Sequence, residues 1–186
     1  MDNKMFSLSD ATVEIGSKYL EPGINEVKLT GVELLTSQKG KPYIRMTVAD
    51  STGATCVHNY SLDTDINPGK EKSAWSITKN SILQLGIATI GEAKTRTAME
   101  SGSPQEFATK LATSLTGKPF RLKVVGEEVM TQAGNKFTKA HFGSGYFAEA
   151  TTVPADQSKL KFDPIKNIKR LPTTVTEETP VTASWM

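Results

Sequence analysis

From Ile24 to Leu35 apolar and polar residues alternate with one interruption. Val27 and Leu29 share a face, Gly31 intervenes, and Val32 and Leu34 resume in shifted phase. Period-two alternation marks a half-buried strand. A phase change at a glycine marks a β-bulge, which bends a strand so that it can serve both halves of a small barrel. The Pro22-Gly23 turn introduces this strand, and Ser37 to Pro42 reads as a hairpin loop with Gly40 in the left-handed position. From Tyr43 to Asp50, Ile44, Met46 and Val48 point one way while Tyr43, Arg45 and Thr47 point the other. After a tight turn at Ser51-Thr52-Gly53, Thr55 to Leu62 is a third strand. It has Cys56, His58, Tyr60 and Leu62 on one face and Val57, Asn59 and Ser61 on the other, and the pattern leaves open which face is buried.

The period then changes. Ser73 reads as an N-cap, and Trp75, Ile82, Leu83, Leu85 and Ile87 recur near helical spacing up to Gly86. A second helix starts at Ser103-Pro104, with Phe107, Leu111 and Leu115 at intervals of four. Residues 88–102 between them read as loop. Strands return with Phe120, Leu122 and Val124 alternating against Arg121, Lys123 and Val125, and a last one runs from about Lys136 to Phe142. Three meandering strands, a helical insertion and two more strands is the order of a mainly β, five-stranded Greek-key barrel of the OB-fold type. The expected organisation is an N-terminal arm over 1–19, the barrel over 20–150 and a largely flexible extension over 151–186. In that extension Phe162 to Leu171 would dock on the barrel or a neighbour, while Thr173 to Thr182 lacks the apolar density to fold alone.

Composition narrows the function classes. With 186 residues, 37% hydrophobic and 23% charged, the chain has material for one core plus appendages. Cys56 is the only cysteine, so no intramolecular disulfide forms. The start has no continuous apolar run, which argues against a signal peptide or a membrane span and for a cytoplasmic protein. The net charge of +2 is unevenly spread: residues 1–35 net −3, while residues 36–49 and 118–141 each net +3.

Those basic segments also carry aromatic residues. Tyr43 and Arg45, two apart on an outer strand face and preceded by Lys39 and Lys41, offer a π-face for an unstacked base beside cations for phosphate. Arg121 and Lys123 are expected on the outer face of the same barrel. In the last strand Lys136 and Lys139 are candidate backbone contacts and Phe137 a weaker stacking candidate. Were Phe137 in the core, only a bulge would turn Lys139 outward. His58 and Tyr60 form a further candidate stacking pair, with a semi-buried tyrosine whose hydroxyl is satisfied as the competing reading. Tyr146 and Phe147 are read as the seal of the barrel end. No cofactor is expected. One cysteine and two histidines are poor material for a zinc site, and neither Gly40-Lys41 nor Gly117-Lys118 completes a phosphate loop. Pro68 stands where a calcium loop beginning at Asp63 needs glycine, and Cys56/His58 on one strand is no nucleophile and base. The chain is therefore expected not to be an enzyme.

Pro22-Gly23, Lys28-Leu29 and Lys39-Gly40-Lys41-Pro42, followed by alternating Ile44, Met46 and Val48, resemble phage-encoded single-stranded DNA-binding proteins with an OB-fold. Leu83-Gln84-Leu85-Gly86-Ile87 and Leu115-Thr116-Gly117-Lys118, leading into a basic strand, extend the similarity over roughly residues 20–145. The resemblance implies single-stranded DNA as partner, in phage replication, recombination or repair. Many such proteins end in a densely acidic tail that recruits replication partners. Here only Glu177 and Glu178 are acidic near the end, leaving Trp185-Met186 as an apolar anchor for recruitment. The reading from a different class is a structural or adaptor β-barrel, such as a virion component, without nucleic-acid binding. Oligomeric state stays open.

Overall fold

The computed structural model describes residues 19–66 and 68–172. The first strand, β1 (Gly23–Thr36), pairs with β4 (Pro119–Met130) through its first six residues and with β2 (Pro42–Ala49) from Lys28 onward. The expected bulge lies where the alternation breaks. Leu29 and Gly31 face consecutive partners, Val48 and Thr47, so Thr30 is the extra residue, and its hydroxyl donates to the Thr47 carbonyl at 3.1 Å. The hairpin from β1 to β2 is closed by Gly40, whose φ of 73° belongs to the left-handed region. In β2, Ile44, Met46 and Val48 are fully buried, each such side chain stabilising the fold by about 1.5–3 kcal/mol. The face left open in β3 (Thr55–Ser61) is settled by burial of Cys56 and Tyr60, which puts Val57 and Asn59 outside.

Three helices fill the connection to β4. Helix α1 (Ala74–Ile90) is capped by the Ser73 hydroxyl, which accepts from Ser76 N–H at 3.2 Å, and it continues one turn past Gly86. Residues 88–102 are not the expected loop, because helix α2 (Glu92–Met99) occupies much of them. The helix eluded periodicity because only Thr95 is buried. Its stabilising contacts are polar, an Arg96–Glu92 ion pair at 2.6 Å and the Thr95 hydroxyl donating to Gly91 carbonyl at 2.6 Å. Gly86 is what admits it, since a Cβ there would stand 2.2 Å from the Thr95 methyl group. Helix α3 (Pro104–Leu115) starts as expected at Ser103, whose hydroxyl accepts from Glu106 N–H, and buries Phe107, Ala108, Leu111 and Leu115. Its C-terminal end meets the bulged strand, with Gly117 N–H donating to Leu29 carbonyl at 2.9 Å.

β5 (Lys136–Phe142) follows β4 by a hairpin, β6 (Ala148–Glu149) pairs lower on β4, and a short helix α4 (Pro164–Asn167) leads into β7 (Ile168–Lys169), which runs parallel to β4. The strand order is β3-β2-β1-β4-β5, antiparallel apart from β7. The sheet is open. The expected closure of five strands into one hydrogen-bonded barrel is replaced at the β3–β5 seam by ring packing, with His58 stacked on Phe142 at a centroid distance of 5.2 Å. Of the extension, residues 151–172 are held against the sheet by polar ties, Lys159 N–H to Glu149 at 2.9 Å and Leu171 N–H to Glu128 at 3.0 Å. The Trp185-Met186 anchor and the segment from Thr173 onward lie outside the described residues, as does the arm before Tyr19. Among the described residues no helix is long and apolar enough to cross a membrane.

Candidate nucleic-acid interface

The outer face of β2 presents Tyr43, Arg45 and Thr47 in a row, because the alternate positions are committed to the core. Cross-strand register puts Ser61, Asn59 and Val57 of β3 beside them, and Leu35, Glu33 and Gly31 of β1 on the other side. Arg45 is loosely held, with its Nε 3.4 Å from the Asn59 side-chain oxygen and a guanidinium nitrogen 3.9 Å from Glu33. Both partners are exposed, so the pair is worth at most about 1 kcal/mol, and a phosphate can displace Glu33. Lys39 projects from the adjoining hairpin without an ion pair among the described residues.

Several expected contacts are committed elsewhere. Lys41 is bound by Asp63, at 3.3 Å, and by Asp65, which together raise its ammonium pKa above the ordinary value. Tyr60 is 4% exposed, and burial pushes its phenol pKa strongly up, so it is a core residue and no stacking platform. His58 is half-buried, already stacked on Phe142, and its imidazole pKa is lowered by burial and then by His141. Arg121 is an inner ion-pair partner: its guanidinium lies 2.8 Å from the buried Glu149 carboxylate and also donates to the carbonyls of Ala150 and Val153. Lys136 pairs with Glu128 at 2.8 Å. Lys123 has no ion pair among the described residues, but its side chain lies across Gly143. Arg121 also stands opposite Glu26, seven residues along β1 from the partner of Arg45, or about 23 Å at strand rise. The β4 cations and the β2 face are thus not brought together.

The last strand is more favourable than its alternation alone implied. Phe137, Lys139 and His141 share the outer face opposite Val129, Glu127 and Val125 with no register shift, so no bulge is needed to turn Lys139 outward. Phe137 is 45% exposed and Lys139 has no ion pair among the described residues, because the facing Glu127 is taken by Lys169 at 2.7 Å. One residue was missed. Tyr19, assigned to the arm, is 66% exposed and pairs with Thr55 at the start of β3. With Val57, Phe137 and Lys139 it lines a cavity of about 350 Å³ in the seam between β3 and β5. A single aromatic residue ahead of the first strand gives no periodic signal. Phe147 is buried, with its N–H donating to Gln84, whereas Tyr146 beside it is exposed.

Nucleophilic chemistry has little support. Burial pushes the Cys56 thiol up to about 11, and no group of three or more His, Cys, Asp or Glu among the described residues is placed to hold a metal ion. No protein-family model and no curated protein sequence matches the chain.

Proposed function

We propose that this chain is a sequence-tolerant, non-enzymatic single-stranded DNA-binding protein, acting in phage DNA replication, recombination or repair. The strand would pass over the outer face of β2 and β3, with bases stacked on aromatic rings and phosphates neutralised by lysine and arginine. The observation that carries the reading is the row Tyr43–Arg45–Thr47, flanked by Lys39, which has no ion pair among the described residues, and running through Val57 to the exposed Phe137 and Lys139. Aromatic rings interleaved with cations that are not held in tight ion pairs are what unstacked bases and a phosphate backbone require. The order β3-β2-β1-β4-β5 also favours an OB-type barrel whose final closure is made by side chains rather than a ladder. The resemblance over residues 20–145 points the same way.

Titration of labelled oligo-dT and of a duplex of equal length at low salt tests the reading. Preference for the single strand is expected. Failure to bind either would favour the structural or adaptor role.

A further inference from the structure

Resting on that reading, we propose that the seam between β3 and β5 is a slot for one flipped-out nucleobase. Tyr19 and Phe137 would be its aromatic walls and Lys139 the contact for the adjoining phosphate. Four observations converge on it. Two of the largest exposed side chains of the sheet, Tyr19 and Phe137, line one cavity rather than standing apart, although exposed aromatic rings are costly in water. At about 350 Å³ the cavity is at the small end of the range of about 300–1,000 Å³ for ligand pockets, which suits a single planar group. Among the described residues its lining is apolar, thiol- and hydroxyl-bearing apart from one cation, Lys139, and includes no carboxylate. Val57, at its mouth, stands directly opposite Thr47, so the slot is continuous with the β2–β3 face.

The occupant is a base rather than an added peptide strand because the seam is closed at one end. His58, Tyr60, Phe142 and Phe147 pack across it with centroid distances of 4.5–6.4 Å, leaving no continuous free edge for a ladder. Lys139 is available because the extension supplies Lys169 to its facing carboxylate, Glu127. The C-terminal extension thereby sets the charge at the slot without touching it.

An abasic scan tests this. Oligo-dT of fixed length, carrying one abasic nucleotide at each position in turn, is titrated against the full chain and its Phe137→Ala, Phe137→Leu and Tyr19→Ala variants. The expected result is that each variant binds intact oligo-dT about tenfold more weakly than wild type, with unchanged melting temperature. One abasic position should weaken wild type by the same factor and the variants not at all. An oligonucleotide bearing a single 5-iodouracil at that position should photocrosslink to Tyr19 or Phe137. Wild-type binding with unchanged variant affinities, or crosslinks confined to Tyr43, would overturn the slot while leaving the proposed function standing. No single-strand binding by wild type would overturn both.

Discussion

Strands β2 and β4 each carry an arginine at a position alternating with buried apolar residues, Arg45 on β2 and Arg121 on β4, yet the two use it in opposite ways. On β2, the one carboxylate partner of Arg45 among the described residues is the exposed Glu33 at 3.9 Å, so its charge is open to a ligand. On β4, Arg121 is committed to a carboxylate that is 1% exposed, and the neighbouring acidic positions hold Lys136, Lys169 and Arg170. The difference comes from what lies across the strand. β2 is flanked on one side by the neutral Ser61, Asn59 and Val57 and on the other by the exposed Glu33, whereas β4 also meets the chain that returns after Phe142, which brings the buried Glu149. A cation on an outer strand position indicates a phosphate site only after the carboxylates that fold back onto it have been counted.

The largest expected effect breaks the β4 side. Arg121→Met leaves Glu149 buried and uncompensated, and should lower unfolding stability by about 3–5 kcal/mol in a urea melt while sparing oligo-dT affinity per folded molecule. A loss of affinity at constant stability would put Arg121 on the DNA instead. Tyr43→Ala should do the reverse, weakening oligo-dT by about 1–3 kcal/mol with little change in melting temperature. Salt dependence then compares the two groups directly. If only Lys39, Arg45 and Lys139 meet phosphate, the log–log slope is about −2, roughly a twentyfold loss between 50 and 200 mM salt. Were Lys41, Arg121 and Lys136 engaged as well, it would be about −4.

Smaller effects sharpen the contrast. Lys169→Ala frees Glu127 to turn to Lys139, its cross-strand neighbour, and should weaken oligo-dT by about 0.2–1 kcal/mol, whereas Lys136→Ala should leave affinity unchanged. Fluorescence titrations of the two variants side by side decide the point. The smallest effect is with pH. Burial holds the His58 imidazole pKa below its ordinary 6.5, so the folded state resists a proton that the unfolded chain accepts. Stability should be full above about 6.5 and decline as the pH falls from there through the lower folded value. Chemical melts between pH 7 and 5 should show that decline in wild type and a flatter profile in His58→Gln, and equal slopes would remove His58 as the cause. The window stays above the range in which the lowered carboxylates of Glu127 and Glu128 take up protons.

What the sequence disclosed follows from periodicity. The bulge between Leu29 and Gly31, the two caps at Ser73 and Ser103 and the outward set Tyr43, Arg45 and Thr47 all announce themselves within a few residues. The Tyr43–Arg45 row was legible for the same reason. Features that depend on distant partners were not. Helix α2 has almost no buried face and exists because Gly86 lets Thr95 approach. Lys41 was an apparent phosphate contact until Asp63 and Asp65 folded against it, and Tyr19 acquires its place only through Thr55 and the far strand β5. Alternation reports which side of a strand faces water but not which charges will share that side.

The Arg121 anchor also bears on how the protein is made. The strand that carries Arg121 is synthesised well before its acceptors, with 29 residues separating it from Ala150. At about 5–20 residues per second, the guanidinium waits about 1.5–6 s for these partners, with the exposed Glu26 across on β1 as the nearest acid already made. The Arg121 side of β4 therefore gains its buried carboxylate only after Glu149 has been made, however complete the first three strands are. A nascent chain halted between β5 and β6 would carry Arg121 without Glu149 and without the carbonyls of Ala150 and Val153 that hold it in the finished sheet.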